Sequence, residues 1–361
     1  MLQTSPAYRT GTAPRAIRRW LYIVAGLIVA MVIVGGITRL TESGLSITRW
    51  QPIRGTLPPL SEAAWQAEFD RYKQIPEYAA FNQGMTLSGF KAIFFWEYLH
   101  RLLGRVIGLA FAVPLAWFAI RRRIPHGFGW RLTALLALGG LQGTIGWWMV
   151  ASGLVDRTDV SHLRLAAHLL TALFILAGIV WTARDLALVE RWPTARGARL
   201  TPVAITALGL LTLQLLYGAL TAGLDAGYAF SSWPLMGDAW FPAGTPMATP
   251  LPSNAIDNPV VVQFIHRWLA FVAAAGLMWL AHRAAKAGAR GPAAWVAALL
   301  IAQIALGIAT LLTGVRIEVA VAHQANAALL LIASVVAAHA VGSRKVSKVM
   351  RSEHRFTAKV S

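Results

Sequence analysis

Four of the nine histidines in this 361-residue chain lie inside long apolar stretches, where an ionisable side chain is costly. They are His100, His168, His266 and His323. Imidazole is the commonest metal ligand, and a histidine in lipid normally faces the interior of a helix bundle. Glu97 precedes His100 by three residues, so both side chains lie on the same face of a helix. These five residues are the candidates for chemistry.

The elements that position them are predicted to be membrane helices. Hydrophobic residues make up 57% of the chain and charged residues 13%, about half the charged share of a soluble domain. A helix needs about 20 apolar residues to cross the hydrocarbon core of a bilayer. Eight such stretches occur, at residues 21–40, 92–120, 132–154, 161–182, 200–224, 259–281, 292–315 and 318–341.

The net charge of +18 is distributed by side of the membrane, which argues against a nucleic-acid partner. Of the 33 Lys and Arg residues, 21 fall in the two tails and the loops after the second, fourth and sixth predicted helices, and five in the opposite loops. We therefore predict a multi-pass protein of the lipid bilayer with both termini cytoplasmic. The chain has no cysteine, which excludes disulfides and thiolate-ligated metals.

An internal repeat relates the two halves of the chain. Tyr98-Leu99-His100-Arg101 in the second predicted helix matches Phe264-Ile265-His266-Arg267 in the sixth. The third and seventh helices share Gln142-x-x-x-Gly146 and Gln303-x-x-x-Gly307, and the fourth and eighth share Ala167-His168 and Ala322-His323. Duplication of a four-helix unit leaves such a pattern.

The predicted fold is an all-α integral membrane protein, whose eight transmembrane helices form two tandem four-helix bundles related by pseudo-two-fold symmetry. The predicted divisions are a cytoplasmic tail (1–19), an N-terminal half (20–184), a cytoplasmic linker (185–199), a C-terminal half (200–341) and a second cytoplasmic tail (342–361).

Each half offers two histidines on different helices at a similar depth, roughly 8 to 14 Å below the outer surface at ~1.5 Å per residue. This arrangement suits a six-coordinate haem iron with an imidazole on each axial face. A structural zinc site is less suitable, because it needs four ligands together.

Three arginines near the histidines could compensate the haem propionates: Arg101, Arg164 and Arg267. Arg164 lies one turn before His168, and the other two directly follow a candidate ligand. The alternative is that these side chains extend to the lipid headgroups.

Glu97 is the feature that separates the halves, because the equivalent residue before His266 is Gln263, which cannot ionise. The difference suggests one reactive haem and one electron-carrying haem. The alternative is that Glu97 only pairs with an arginine such as Arg101 or Arg164.

The remaining histidines are assigned by position. His126, His282, His339 and His354 are interpreted as interfacial or solvated, and the role of His162 is left open. In the first long outer loop, apolar residues at helical spacing predict an amphipathic helix over residues 61–73.

The sequence resembles the haem A synthase family from Trp20 to Val341. The most specific matches are the segment from Gly35 to Ser46, the segment from Glu97 to Arg105, and the later histidines His168, His266 and His323. Some relatives carry a cysteine pair in the first outer loop, which this chain lacks.

The resemblance implies that the chain oxidises a ring methyl group of haem O to formyl, giving haem A for the terminal cytochrome oxidase. It further implies that His266 and His323 ligate a resident b-type haem, while Glu97, His100 and His168 form the catalytic substrate half. Haem O synthase, cytochrome oxidase assembly factors and an unidentified electron acceptor are the implied partners.

The resemblance implies a bacterial plasma (inner) membrane protein; the basic, acid-free tail leaves the mitochondrial inner membrane as the alternative. The main functional alternative is a di-haem b-type membrane electron carrier or quinol dehydrogenase, which four histidines would serve equally well. A transporter ranks last, because the histidine-bearing helices lack a central break.

Overall fold

The computed structural model describes residues 13–51, 53–192, 195 and 197–360. Within these ranges the regular structure is helical. The α-helices are α1 (Ala13–Leu40), α2 (Glu62–Tyr72), α3 (Pro76–Phe81), α4 (Leu87–Ile120), α5 (Gly129–Ala151), α6 (His162–Arg191), α7 (Pro202–Gly223), α8 (Asn254–Asp257), α9 (Pro259–Lys286), α10 (Arg290–Leu312) and α11 (Ile317–Val360).

Eight of these helices are long and apolar enough to cross a membrane, which confirms the predicted number within the described part of the chain. They are α1, α4, α5, α6, α7, α9, α10 and α11. The short helices α2, α3 and α8 lie in the two long outer loops. The chain is therefore an all-helical, multi-pass membrane protein.

The helix boundaries differ from the prediction mainly at charged residues. The linker predicted at residues 185–199 begins inside α6, which continues to Arg191. The predicted N-terminal tail is helical from Ala13, residues 1–12 lie outside the described part, and the backbone of α11 stays helical to Val360. Apolar periodicity marks where a helix can lie in lipid, whereas a helix itself continues through polar residues that do not break it.

Polar residues cap several membrane helices at their N-termini. The side chains of Thr86, Thr201 and Asn258 accept hydrogen bonds from backbone N–H groups in the first turns of α4, α7 and α9. Pro202 and Pro259 follow two of these caps, at the position where a missing N–H costs nothing.

The helices pack as two corresponding rings. In the first half α1 packs on α4 and α6, and α5 packs on α4 and α6; in the second half α7 packs on α9 and α11, and α10 packs on α9 and α11. Between the halves α1 packs on α11, α6 on α7, and α6 on α11. If each helix is replaced by its counterpart in the other half, the contact of α1 with α11 becomes the contact of α7 with α6. This equivalence supports the predicted pseudo-two-fold relation.

The first outer loop forms its own small core above the first bundle. The predicted helix over residues 61–73 is confirmed as α2 and buries Phe69 and Tyr72. Their rings stack on Phe90, which is fully buried in α4. The loop is thereby packed against the end of α4.

A buried polar cluster joins the bundles on the inner side. Asp185 of α6 accepts hydrogen bonds from Arg131 at 2.6 Å and from the backbone N–H of Ala198 at 2.9 Å. His339 of α11 lies 2.9 Å from the same carboxylate. This cluster corrects one expectation, because His339 is 2% exposed rather than interfacial or solvated. It also places a second fully buried acid, Asp185, in a membrane helix, in addition to Glu97 of α4.

Candidate functional site

The four candidate histidines stand on the four helices that run from the outer loops inward, and each is half-buried. His100 is on α4, His168 on α6, His266 on α9 and His323 on α11. His100 lies close enough to His168 for their charges to interact. The same is true of His266 and His323. Each bundle therefore brings its two predicted residues together.

Each imidazole ring lies against a glycine of the neighbouring helix. A Cβ added at these glycines would come within 2.9 to 3.2 Å of the ring, closer than ordinary contact allows. The four glycine–histidine pairs are Gly35 with His100, Gly146 with His168, Gly218 with His266 and Gly307 with His323. The absence of a side chain gives each ring its place between two helices.

Glutamines contact three of the rings. Gln142 Nε2 lies 3.1 Å from Nδ1 of His168 and donates to the backbone carbonyl of the same residue at 2.9 Å. Gln303 Nε2 lies 3.2 Å from both ring nitrogens of His323.

A third glutamine, Gln214, lies 3.1 Å from Nδ1 of His266 and donates to its carbonyl at 3.0 Å. Sequence analysis missed it, although the Gln-x-x-x-Gly spacing that marks Gln142 and Gln303 is repeated in Gln214 and Gly218.

Glu97 is 2% exposed and makes four hydrogen bonds. One oxygen accepts from Ser46 Oγ at 2.7 Å and from the backbone N–H of Ile47 at 2.6 Å. The other accepts from Nε and Nη2 of Arg101 at 3.0 and 2.6 Å. Glu97 is thus a carboxylate in a two-pronged ion pair, and it fastens the start of the first outer loop to α4.

Arg101 extends the same attachment. Its guanidinium group donates to the carbonyls of Ile47 and Arg49 at 2.7 and 3.0 Å. The outer loop is therefore fastened to α4 through its backbone carbonyls, which a residue of any type at these positions would offer.

The second half has an equivalent attachment without an acid. Gln263 donates to the carbonyl of Phe230 at 3.1 Å. Arg267, four residues later, donates to the carbonyls of Phe230 and Ser232 at 2.9 and 2.8 Å. Gln263 and Arg267 therefore fasten the second loop to α9, as Glu97 and Arg101 fasten the first loop to α4.

The three predicted propionate-binding arginines lie at the outer ends of the bundles and already contact protein groups. Arg164 donates to the carbonyl of Trp148 at 2.8 Å and lies over its ring. Nε of Arg267 is buried without a hydrogen-bond partner. Binding of haem propionates by Arg101, Arg164 and Arg267 stays a prediction.

His162, whose role sequence left open, belongs to the junction between the halves. It is 8% exposed, and its Nε2 lies 3.0 Å from Asp257 of α8. Gly223 of α7 packs against its Cβ. The contact joins the start of the fourth membrane helix to the second outer loop, away from the histidine pairs.

The residues present fit a haem in each bundle. The histidines come in pairs, and no cluster of three or more His, Asp or Glu side chains able to hold a metal ion occurs in the described part of the chain. Oε1 of Gln142 and Oε1 of Gln214 are buried without a donor. The carboxamide nitrogen is the atom nearest each ring nitrogen, and a half-turn of the carboxamide would place Oε1 there. In that position Oε1 would accept from the N–H of an imidazole whose other nitrogen binds a metal.

The fold is that of a multi-pass helical membrane protein, and each of its two groups of four helices brings two histidines together. The family model COX15-CtaA, described as cytochrome oxidase assembly protein, matches residues 18–335. The chain belongs to this family.

Proteins named haem A synthase are similar over most of their length. The chain is 58% identical to that of Rhizorhabdus wittichii, over 92% of this chain and 96% of the relative. It is 57% identical to that of Sphingopyxis alaskensis, over 92% and 93% of the two chains. It is 48% identical to that of Novosphingobium aromaticivorans, over 95% and 100%.

Proposed function

We propose that this chain is a haem A synthase, an oxidoreductase of the bacterial plasma membrane that converts a ring methyl group of haem O to formyl. The observation that carries the proposal is a pair of corresponding two-histidine sites, of which only the first has a carboxylate, Glu97, within one turn of a histidine. Membership of the family and similarity to proteins named haem A synthase support the proposed activity.

In this proposal the second bundle holds a resident b-type haem between His266 and His323. The haem supplies electron transfer when it is bound. Gln214 and Gln303 orient the two rings, and Gln263 with Arg267 fastens the loop above them. The chain thereby fixes the two histidines and covers them with the second outer loop.

The first bundle takes haem O between His100 and His168. Conversion of the methyl group to formyl with oxygen from water releases four electrons, which pass to the electron acceptor, and four protons. A nearby carboxylate stabilises the positive charge that develops on the carbon. Glu97 supplies the negative charge of that carboxylate, while Arg101 and Ser46 fix its position. Four donors already occupy its oxygens, so Glu97 takes up a proton only if one of them moves.

The topology proposed for the chain has both termini in the cytoplasm and the two long loops outside. The distribution of 21 against five Lys and Arg residues supports it. Haem O synthase, cytochrome oxidase assembly factors and an electron acceptor are the proposed partners, met at the membrane.

Pigment analysis of the full-length protein tests the function. The purified chain is supplied with haem O and an electron acceptor, and the extracted haems are separated by chromatography. We expect haem A together with unmodified haem b. Recovery of two unmodified haems after incubation would instead identify a di-haem electron carrier.

A further inference from the structure

The neighbours of His100 differ from those of the other three histidines. Each of those three rings contacts a glycine and also the glutamine one turn before that glycine. The three pairs are Gln142 with Gly146, Gln214 with Gly218, and Gln303 with Gly307. In α1 the glycine is Gly35, but the residue one turn before it is Met31.

Met31 cannot replace the glutamine. Its thioether has no hydrogen to donate and is a weak acceptor. Its methyl group packs toward Gly104 of α4, where an added Cβ would lie 3.4 Å away. Within the described part of the chain no hydrogen bond to the His100 ring is found, whereas each of the other three rings lies near a carboxamide.

The ring of His100 also presents a different edge to its glycine. An added Cβ at Gly35 would meet Nε2 first, at 3.2 Å, and then Cδ2. At the other three glycines it would meet Cε1 first. The two arrangements are related by a half-turn of the imidazole about its Cβ–Cγ bond, and at His100 no carboxamide favours one of them over the other.

Groups that hydrogen-bond a ligand histidine keep its ring in the orientation that metal binding needs, and losing them typically lowers metal affinity by 10- to 100-fold. An imidazole without such a group turns away from the iron more easily. A substrate site must release its product, whereas a resident cofactor must stay.

We propose that Met31 acts through His100: it offers no hydrogen bond and therefore leaves the His100 ring unrestrained. The bond between His100 and the haem iron then breaks and re-forms as substrate enters and product leaves the first bundle. Gln214, at the corresponding position of the second bundle, keeps His266 bound. Only the bond between iron and imidazole nitrogen changes, and no electron is transferred in this step. The inference rests on the proposed assignment of substrate and resident haem to the two halves.

Release of haem from the full-length protein tests the inference without turnover. The chain is loaded with haem O in the absence of an electron acceptor, excess apomyoglobin traps released haem, and chromatography distinguishes haem O from the resident haem b. Met31→Gln should slow release of haem O about fivefold, the equivalent of one hydrogen bond of ~1 kcal/mol. Gln214→Met should accelerate release of the resident haem by a similar factor and leave haem O unchanged.

Met31→Leu is the matched control, because leucine is apolar and similar in size but has no sulfur. It should release haem O at the wild-type rate with the wild-type absorbance spectrum. Loss of haem O or of its low-spin spectrum in Met31→Leu would identify the thioether as a ligand and overturn the inference. Unchanged release in Met31→Gln would also overturn it.

If Met31→Gln does not fold, judged by thermal unfolding of the haem-free chain, Gln214→Met decides alone, and unchanged release of haem b then overturns the inference. Failure of the proposed function looks different: the release rates still differ between the halves, but no haem A forms on adding an acceptor. A wild-type chain that binds no second haem would overturn both.

Discussion

At the scale of single residues, the groups that surround the histidine pairs differ between the two halves. The side chains of the second pair are held by glycine, by glutamine and by a loop fastened through Arg267. Those of the first pair have corresponding glycines but only one glutamine, and a carboxylate, Glu97, lies one helical turn from His100. In the proposed function, these small differences among otherwise duplicated residues separate a permanent site from a reactive one.

Replacing His266 or His323 by Ala should abolish the low-spin b-type absorbance of the purified protein, because each supplies one axial imidazole in the proposed site. Absorbance spectroscopy per mole of protein measures this. His282→Ala is the matched control, since His282 lies on the same helix as His266 and is exposed. Retention of the spectrum in both variants would move the resident haem to the first half.

Replacing Glu97 by Gln should leave the resident haem in place and lower the yield of haem A at least tenfold, because glutamine has nearly the same shape but no charge. Haem O or a partly oxidised intermediate should accumulate. The measurement is haem A formed per mole of resident haem.

The structural alternative predicts another result for Glu97→Gln. The change leaves Arg101 without its counter-charge, which costs about 3 kcal/mol or more in a buried pair. If that is the whole effect, expression and stability fall while haem A per resident haem stays normal. Glu62→Gln, at an exposed outer acid, should change neither quantity.

At the scale of elements, the outer loops are fastened to the helices that carry the candidate histidines. The first carries α2 and α3, whose aromatic residues pack on α4 beside the turn that bears Glu97. A buried acid lies in this packing: Glu77 of α3 is 4% exposed, and Oε2 of its carboxyl has no hydrogen-bond partner. Burial raises the pKa of Glu77 from 4.5 to about 8, and the charge of Glu97 adds to the shift.

Glu77 should make the stability of the outer loop fall with rising pH. Its raised pKa means that the folded loop holds the proton more tightly than the unfolded chain. The resulting stability is complete below about pH 4.5 and is lost as pH rises through about 8. The total is of order 5 kcal/mol for a shift of this size, at 1.36 kcal/mol per pKa unit.

Thermal unfolding in detergent between about pH 6 and pH 9 measures this dependence. Glu77→Gln should remove most of the slope and raise the midpoint at the alkaline end. Glu62→Gln should keep the wild-type slope. Equal slopes in the wild type and Glu77→Gln would show that Glu77 ionises freely in the folded loop.

At the scale of the whole molecule, one apolar core runs through both bundles, and polar contacts join them at several levels. Arg39 donates to the carbonyl of Ala222 and to Asp225 on the outer side. Gln324 donates to the carbonyl of Val32 near mid-helix. The cluster at Asp185 closes the inner side, so the two sites are held in one fixed relation.

The proposed orientation predicts the behaviour of reporter fusions. An enzyme active only outside the cytoplasm should work when fused near Gln83 or Pro250, in the two long loops, and fail when fused after Arg351. A reporter active only in the cytoplasm should give the opposite pattern. Activity of the outside reporter after Arg351 would reverse the topology, together with the assignment of outer loops to the histidine sites.

The sequence by itself determined the eight membrane helices, the repeat and the four histidines. These features follow from local composition and spacing: lipid requires long apolar helices, and a polar residue inside them is conspicuous. It also marked Glu97, because no other acid lay at membrane depth within a predicted helix.

Only the tertiary structure decided which groups meet. The outer loops bind the arginines through backbone carbonyls, which carry no sequence signature, and Asp185 is buried by a loop and a helix that are distant in the chain. The structure also drew attention to Met31. A methionine in an apolar helix is ordinary, but three glutamines that contact histidine rings stand at the corresponding positions of the other helices. Local sequence patterns determine the helices. Contacts between distant segments determine which side chains form a site, because those side chains come from helices whose packing no short stretch of sequence encodes.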